Sequence, residues 1–138
     1  MATARLTADT SVIVPSLLRW HTLHARAATA LAGVRQVPAH ALMESFSVLT
    51  RLPASRALRP VLAQQALLRA FPTPPLTVGA ERHVAIIRRL AEAGIGGGRV
   101  YDAIVGAAAA EAGARILTAD RRAVPTYALV GAEFELLE

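Results

Sequence analysis

The sequence contains no cysteine, which excludes a disulfide framework, a thiolate nucleophile and a zinc site built on sulfur. Aromatic residues are also scarce, with three Phe, two Tyr and one Trp, so stacking on single-stranded bases is not expected to dominate recognition of a ligand. Long hydrophobic runs are missing as well. The longest uncharged stretch, residues 70–80, contains three prolines, and no membrane-spanning helix is therefore predicted.

The 138 residues and the hydrophobic content of 54% predict a single folded domain over residues 1–138. The apolar run near the N-terminus, residues 12–18, is bracketed by Asp9 and Arg19 and is not followed by a small-residue cleavage site. It is therefore a poor secretion signal, and we expect a cytoplasmic protein.

Lysine is absent, and all 15 basic residues are arginines against 10 acidic residues, which gives a net charge of +5. The surplus of positive charge lies in residues 1–75, which have a net charge of +6, whereas residues 76–138 have a net charge of −1. Because guanidinium groups bind phosphate oxygens in pairs, this distribution favours a nucleic-acid partner. Ordinary solvated charges that reflect a coding bias toward arginine are an equally good explanation.

Short apolar runs alternate with segments of helical periodicity. Strands are predicted at residues 4–8, 34–37, 76–78, 115–118 and 134–137. Helices are predicted from Ser11 or Pro15 to residue 20, and over 21–32, 39–52, 61–71, 81–93 and 100–112. This order predicts an α/β protein with a mostly parallel sheet covered on both faces, and a ligand site beyond the carboxyl ends of the strands.

Four carboxylates are candidates for a functional site, although each also has an ordinary structural explanation. Asp9 and Asp120 each follow a predicted strand, although a turn or helix-capping role is the more frequent reason for such an aspartate. Asp102 lies in the first turn of its helix, where the helix dipole favours negative charge, and Gly106 on the same face leaves space above it. Glu44 shares a helical stripe with His40, which a solvated face explains equally well.

The segments around these acids resemble the PIN-domain ribonucleases, and most of all the small VapC-type toxins of toxin–antitoxin pairs. The resemblance covers the whole chain, with separations of 35, 58 and 18 residues between the four acids. The segments that carry it are Ala8-Asp9-Thr10-Ser11-Val12, Met43-Glu44-Ser45-Phe46, Tyr101-Asp102-Ala103-Ile104 and Leu117-Thr118-Ala119-Asp120-Arg121. It implies a PIN-like three-layer α/β/α sandwich in which the four acids gather at one end of the sheet.

By the same resemblance, Asp9, Glu44, Asp102 and Asp120 would hold Mg²⁺ or Mn²⁺ and form the catalytic site, with Thr118 or Ser11 supplying a hydroxyl beside it. Carboxylate oxygens suit these hard ions, which can activate a water for attack on a phosphodiester. The implied function is an endoribonuclease toxin that cuts RNA, forms a homodimer and is restrained by a cognate antitoxin.

Partner surfaces are less well defined by the sequence. Arg19, Arg51 and Arg121 are candidates for RNA contacts, although each alone is more often a solvated charge. The apolar helix around Leu62, Leu67 and Leu68 could receive an antitoxin segment, or could simply be core. Two alternative functions remain open, namely a non-catalytic nucleic-acid-binding module and an inactive PIN-like scaffold that binds a partner.

Overall fold

A computed structural model describes residues 5–138. The strands are β1 (Arg5–Ala8), β2 (Ala114–Thr118) and β3 (Phe134–Leu136). The helices are α1 (Thr10–Leu17), α2 (His24–Ala30), α3 (Ala39–Thr50), α4 (Pro60–Ala70), α5 (Arg82–Glu92), α6 (Arg99–Glu111) and α7 (Val124–Leu129). Short 3₁₀ helices lie at Ala54–Arg56 and Arg121–Ala123.

The strands of the described residues form one parallel sheet with β2 in the centre. Ala8 of β1 pairs with Leu117 of β2, and Ile116 of β2 pairs with Phe134 of β3. Both Ile116 and Leu117 are buried although neighbouring strand residues point to opposite faces, so helices cover the sheet on both sides. The predicted PIN-like α/β/α sandwich is confirmed.

The predicted strands at residues 34–37 and 76–78 are wrong. These segments meet only in an isolated parallel bridge between Pro38 and Leu76, with Leu76 N donating to Val37 O over 2.9 Å. Pro38 has no N–H to extend a ladder and stands directly before α3, while Pro75 restricts the other segment in the same way. The pairing therefore stops after one bridge.

Helix boundaries follow the local capping chemistry. The first helix begins at Thr10 because the Asp9 side chain accepts a hydrogen bond from the Ser11 amide, and it ends at Leu17 rather than near residue 20. The next helix starts only at His24, not at His21. The remaining predicted helices match α3 to α6 within one or two residues at each end.

The main core lies between the sheet and helices α1, α3, α4 and α6, and a smaller apolar cluster joins α5 to α6 through Ile86, Leu90, Ala103 and Ala107. Small residues along α6 allow the helix to lie close to its neighbours. Across the described part of the chain, every helix is too short or too polar to cross a membrane.

Candidate active site

A cavity of about 230 Å³ lies where β1 and β2 end, and all four sequence-predicted acids line it. Asp9 follows β1, Glu44 lies on α3, Asp102 lies on α6 and Asp120 follows β2. The other lining residues are Thr10, Ser11, His40, Tyr101, Val105 and Tyr127. Carboxylates from four separate segments thus face a common space.

Asp9 is the most deeply placed of these acids, with only 6% of its surface exposed. Its Oδ1 accepts hydrogen bonds from the amide and the hydroxyl of Ser11, and its Oδ2 accepts a bond of 2.6 Å from the Tyr127 hydroxyl. Burial raises the pKa of Asp9 above its usual value, although the bonds from Ser11 and Tyr127 act in the opposite direction. Asp9 therefore caps α1 and also faces the cavity.

Asp120 has a capping role of its own. Its Oδ1 accepts a 3.0 Å hydrogen bond from the Arg122 amide at the start of the second 3₁₀ helix, and the Arg122 Nε lies 3.8 Å from the same oxygen. The side chain is 39% exposed, so it can change its orientation without disturbing the core. The capping explanation holds for both Asp9 and Asp120, and it does not remove either from the cavity.

Asp102 and Glu44 approach the cavity from α6 and α3. Burial and the negative charges of Asp120, Asp9 and Glu44 raise the pKa of Asp102 to about 6, against a smaller opposite influence of Arg99. Repulsion of this kind is expected where several carboxylates face one cavity. Glu44 is 46% exposed on its side chain and lies 3.7 Å from His40 Nε2, one helical turn earlier.

The space predicted above Asp102 is filled by the chain itself. A Cβ added at Gly106 would lie 2.7 Å from Val130 Cγ2 and 3.0 Å from Tyr127 Cδ1. The glycine thus permits close contact between α6 and the α7 region, and this contact brings the Tyr127 ring beneath Asp9. The sequence predicted that Gly106 permits a close approach to this helix, and residues of the chain itself, Tyr127 and Val130, make that approach.

The two sequence-predicted hydroxyls tie the ends of β1 and β2 together. Ser11 Oγ bonds Asp9, accepts a 2.8 Å bond from the Ala119 amide and lies 3.4 Å from Thr118 Oγ1. Thr118 is fully buried, and its Oγ1 accepts a 3.1 Å bond from the Asp120 amide. Both hydroxyls hold the acidic loops in place, and Ser11 also lines the cavity.

The donor set of the cavity suits a hard divalent cation, because it offers carboxylate and hydroxyl oxygens, with only His40 as a nitrogen ligand and no sulfur. Within residues 5–138, no arginine lines the cavity, although Arg122 Nε lies 3.8 Å from Asp120 Oδ1 at its edge. Over the same residues, no three acidic or histidine side chains already stand close enough to hold one ion together. A shared ion would need the acidic side chains to move closer together than they stand here.

The three arginines predicted to contact RNA do not line this cavity. Arg51 ends α3 and donates from Nε to Ser47 Oγ over 3.3 Å, and Arg121 bonds the Glu138 side chain. Arg19 is exposed beyond α1. Any contribution of these side chains to binding would be made outside the acidic cavity.

Sequence reasoning did not identify Tyr127, Tyr101 or His40 as site residues. The α7 helix that carries Tyr127 was not predicted, although Pro125 near its start and Gly131 beyond its end, with a φ of 79°, are typical helix boundaries. The two other residues could have been noticed because Tyr101 directly precedes Asp102 and His40 stands four residues before Glu44.

Comparison with known proteins identifies the class. The family model described as "PIN domain" matches residues 7–128, and the chain belongs to the PIN-domain family. Within it, the chain is 44% identical over 128 residues to Ribonuclease VapC27 of Mycobacterium tuberculosis strain ATCC 25618 / H37Rv, covering 91% of this chain and 92% of that relative. It is also 40% identical over 129 residues to Ribonuclease VapC40 of strain CDC 1551 / Oshkosh of the same species, covering 94% and 96%. The predicted resemblance to VapC-type PIN proteins is confirmed.

Proposed function

We propose that this chain is an endoribonuclease toxin that hydrolyses phosphodiester bonds in RNA with Mg²⁺ or Mn²⁺ as cofactor. The observation that carries the proposal is the convergence of Asp9, Glu44, Asp102 and Asp120 on one cavity that contains no arginine of the described chain. The relatives named Ribonuclease VapC27 and VapC40 support RNA as the substrate.

The four carboxylates would hold the cation. A divalent ion bound there would supply Lewis acidity that lowers the pKa of a coordinated water and offsets the charge of the scissile phosphate. Tyr127 and Ser11 hold Asp9 in a fixed orientation, so this carboxylate forms the rigid part of the site. Glu44 and Asp120 are exposed enough to adjust to the ion and to the substrate.

We place the RNA-binding surface outside the acidic cavity, because none of the three candidate arginines lines that cavity. Clustered carboxylates repel phosphate, so the arginines of the N-terminal half would attract RNA while the cavity itself needs its cation. We assign Arg19 and Arg51 of that half to this outer role, together with Arg121, which lies in the C-terminal half and also bonds Glu138. Ser11 and Thr118 keep the two acidic loops at the correct separation.

The toxin would be a homodimer in the cytoplasm, restrained by a cognate antitoxin. Exposed apolar side chains support partner binding, since Val84 and Ile87 on α5 are 54% and 62% exposed and Leu68 on α4 is 50% exposed. The antitoxin surface predicted from the sequence needs one correction: Leu67 is only 3% exposed and belongs to the core, whereas Leu62 and Leu68 remain accessible.

The decisive experiment incubates the purified chain with total RNA and with defined transcripts in Mn²⁺, in Mg²⁺ and in EDTA. Asp9→Asn and Asp102→Asn are compared with Glu135→Gln, an exposed acid on β3 that serves as a matched control. We expect cleavage only with a divalent ion, its loss in both Asn variants and its retention in the control.

Two outcomes would point to the alternatives. Equal cleavage by wild type and Asp9→Asn would discard the proposed site. If no RNA is cut with either metal, but RNA binds in a way that depends on salt and not on divalent ions, the result would favour a nucleic-acid-binding module. If RNA is neither cut nor bound, the result would favour a scaffold.

A further inference from the structure

An aromatic pair stands at the rim of the acidic cavity. The rings of His40 on α3 and Tyr101 on α6 are parallel within 1°, and their centroids lie 5.0 Å apart. Both residues line the same cavity as the four carboxylates. This is the geometry of an offset stack, which holds the Tyr101 ring in a defined plane.

Each ring is attached to the helix that also carries an acid. Tyr101 directly precedes Asp102, and His40 lies one helical turn before Glu44, whose carboxylate is 3.7 Å from His40 Nε2. The stack therefore joins α3 and α6 at the point where two of the acids enter the cavity. A change in the position of either helix would move the stack and an acid together.

The pair has an open side. Tyr101 is 55% exposed although one face of its ring is covered by His40, so much of the remaining ring surface is accessible to solvent, and the residue lines the cavity. Exposed tyrosine rings beside a catalytic cavity are suited to bind flat, uncharged groups. A nucleobase is such a group, and it avoids the repulsion that a phosphate meets from the carboxylates.

We infer that Tyr101, supported by His40, is a stacking platform for the nucleobase adjacent to the scissile phosphate. This inference rests on the proposed function, because it takes RNA as the substrate. Tyr101 would be a substrate-binding residue that touches the base whatever its identity, and His40 would be a positioning residue that acts through the Tyr101 ring. A nucleotide with its base on Tyr101 would have its phosphate near Asp102.

The test measures binding rather than cleavage. A fluorescein-labelled oligoadenylate is compared with an abasic oligoribose-phosphate of equal length, which has the same phosphates and no bases. Fluorescence anisotropy is recorded in EDTA, where the chain is not expected to cut RNA, and again in Ca²⁺, an oxygen-binding divalent ion that offsets the carboxylate charge. The proteins are wild type, Tyr101→Ala, Tyr101→Phe and His40→Ala, with thermal unfolding recorded for each to establish that the fold is intact.

We expect Tyr101→Ala to weaken binding of oligoadenylate by roughly 5- to 150-fold, the range that corresponds to the loss of one base–aromatic stack. Binding of the abasic chain should stay unchanged, and Tyr101→Phe should keep most of the affinity because it keeps the ring. His40→Ala should produce a smaller loss of the same base-dependent kind.

Equal effects of Tyr101→Ala on both oligonucleotides, or no effect on either, would overturn the inference. Because no step of this measurement needs cleavage, its outcome is separable from that of the nuclease assay. If Tyr101→Ala loses affinity only for the oligonucleotide with bases and the wild type cuts no RNA, the stacking platform is supported and the catalytic proposal is rejected. If the wild type cuts RNA but Tyr101→Ala shows no such base-dependent loss of affinity, the catalytic proposal is supported and the platform is rejected.

Discussion

Tyr127 donates a 2.6 Å hydrogen bond to Oδ2 of Asp9, although the two residues are separated by 118 positions in the chain. Both side chains are buried, so the contact fixes a carboxylate that faces the cavity from within the core. Burial and the charge of Asp9 raise the pKa of Tyr127 well above its usual range, which keeps the phenol protonated and able to donate. The core thus determines the orientation of one of the acids.

Substitution of Tyr127 by Phe removes this donor while keeping the ring. We expect a loss of about 1–3 kcal/mol in the free energy of unfolding, because the buried carboxylate loses a hydrogen-bond partner. Urea denaturation measures the change, and Tyr101→Phe is the matched control because Tyr101 is exposed. Equal stability of the two variants would show that the bond to Asp9 contributes little.

The outline of the site was predictable from local sequence signals. Parallel strands end at the same edge of a sheet, so the positions of Asp9 and Asp120 after two such strands placed them near one another. The sequence pattern alone left Glu44 and Asp102 open to ordinary explanations. Their assignment as metal ligands depended on the family resemblance, because a half-exposed helical acid has no distinctive local pattern.

The surroundings of the acids were harder to predict because they depend on contacts between distant residues. The bond from Tyr127 to Asp9 joins the first loop to the short α7 helix, whose six residues give little periodic signal. The error at residues 34–37 has a similar origin. The composition of residues 34–37 suits a strand, but Pro38 and the facing segment at residues 76–78 permit only one bridge between them.

Substitution of Gly106 by Ala tests whether the contact between α6 and α7 maintains the site. The added methyl group would meet Val130 and Tyr127 at less than ordinary contact distance, and we expect this crowding to cost about 1–3 kcal/mol, partly offset by the higher helix propensity of alanine. Gly96→Ala is the control, because a Cβ there meets nothing within 4 Å.

Thermal unfolding compares the stability of the two glycine variants. Nuclease assays should show reduced activity for Gly106→Ala, because Tyr127 moves away from Asp9. If Gly106→Ala left stability and activity unchanged, α7 would be able to move away from α6 without a measurable cost. In that case the Tyr127 contact would not position Asp9.

The raised pKa of Asp102 predicts an unusual pH dependence in the absence of metal. Its folded-state value of about 6 lies above the ordinary 3.8, so the folded protein binds more protons than the unfolded chain between these values. The contribution of Asp102 to stability is therefore complete at the lower pH and is lost as the pH rises through about 6. Asp9, whose pKa is also raised, acts in the same direction.

Thermal unfolding in EDTA across this pH range should show a fall in stability for wild type and a flatter profile for Asp102→Asn. The amide cannot ionise, and it also relieves the repulsion on Asp9. Parallel profiles for the two proteins would show that Asp102 has no raised pKa in solution. Glu135→Gln, at an exposed strand position, should behave as wild type does.

Addition of a divalent ion should reverse this destabilisation, because a cation that binds only the folded chain stabilises it by mass action, by about 2.7 kcal/mol at one hundred times its Kd. We expect Mn²⁺ to raise the unfolding temperature of wild type at neutral pH, with a smaller rise for Asp9→Asn and Asp102→Asn. Glu135→Gln should keep the full response, since its position is outside the cavity. Differential scanning calorimetry with Mn²⁺ titrated against EDTA measures the effect without any RNA. An identical rise in all four proteins would mean that the ion binds elsewhere on the surface and not in the acidic cavity.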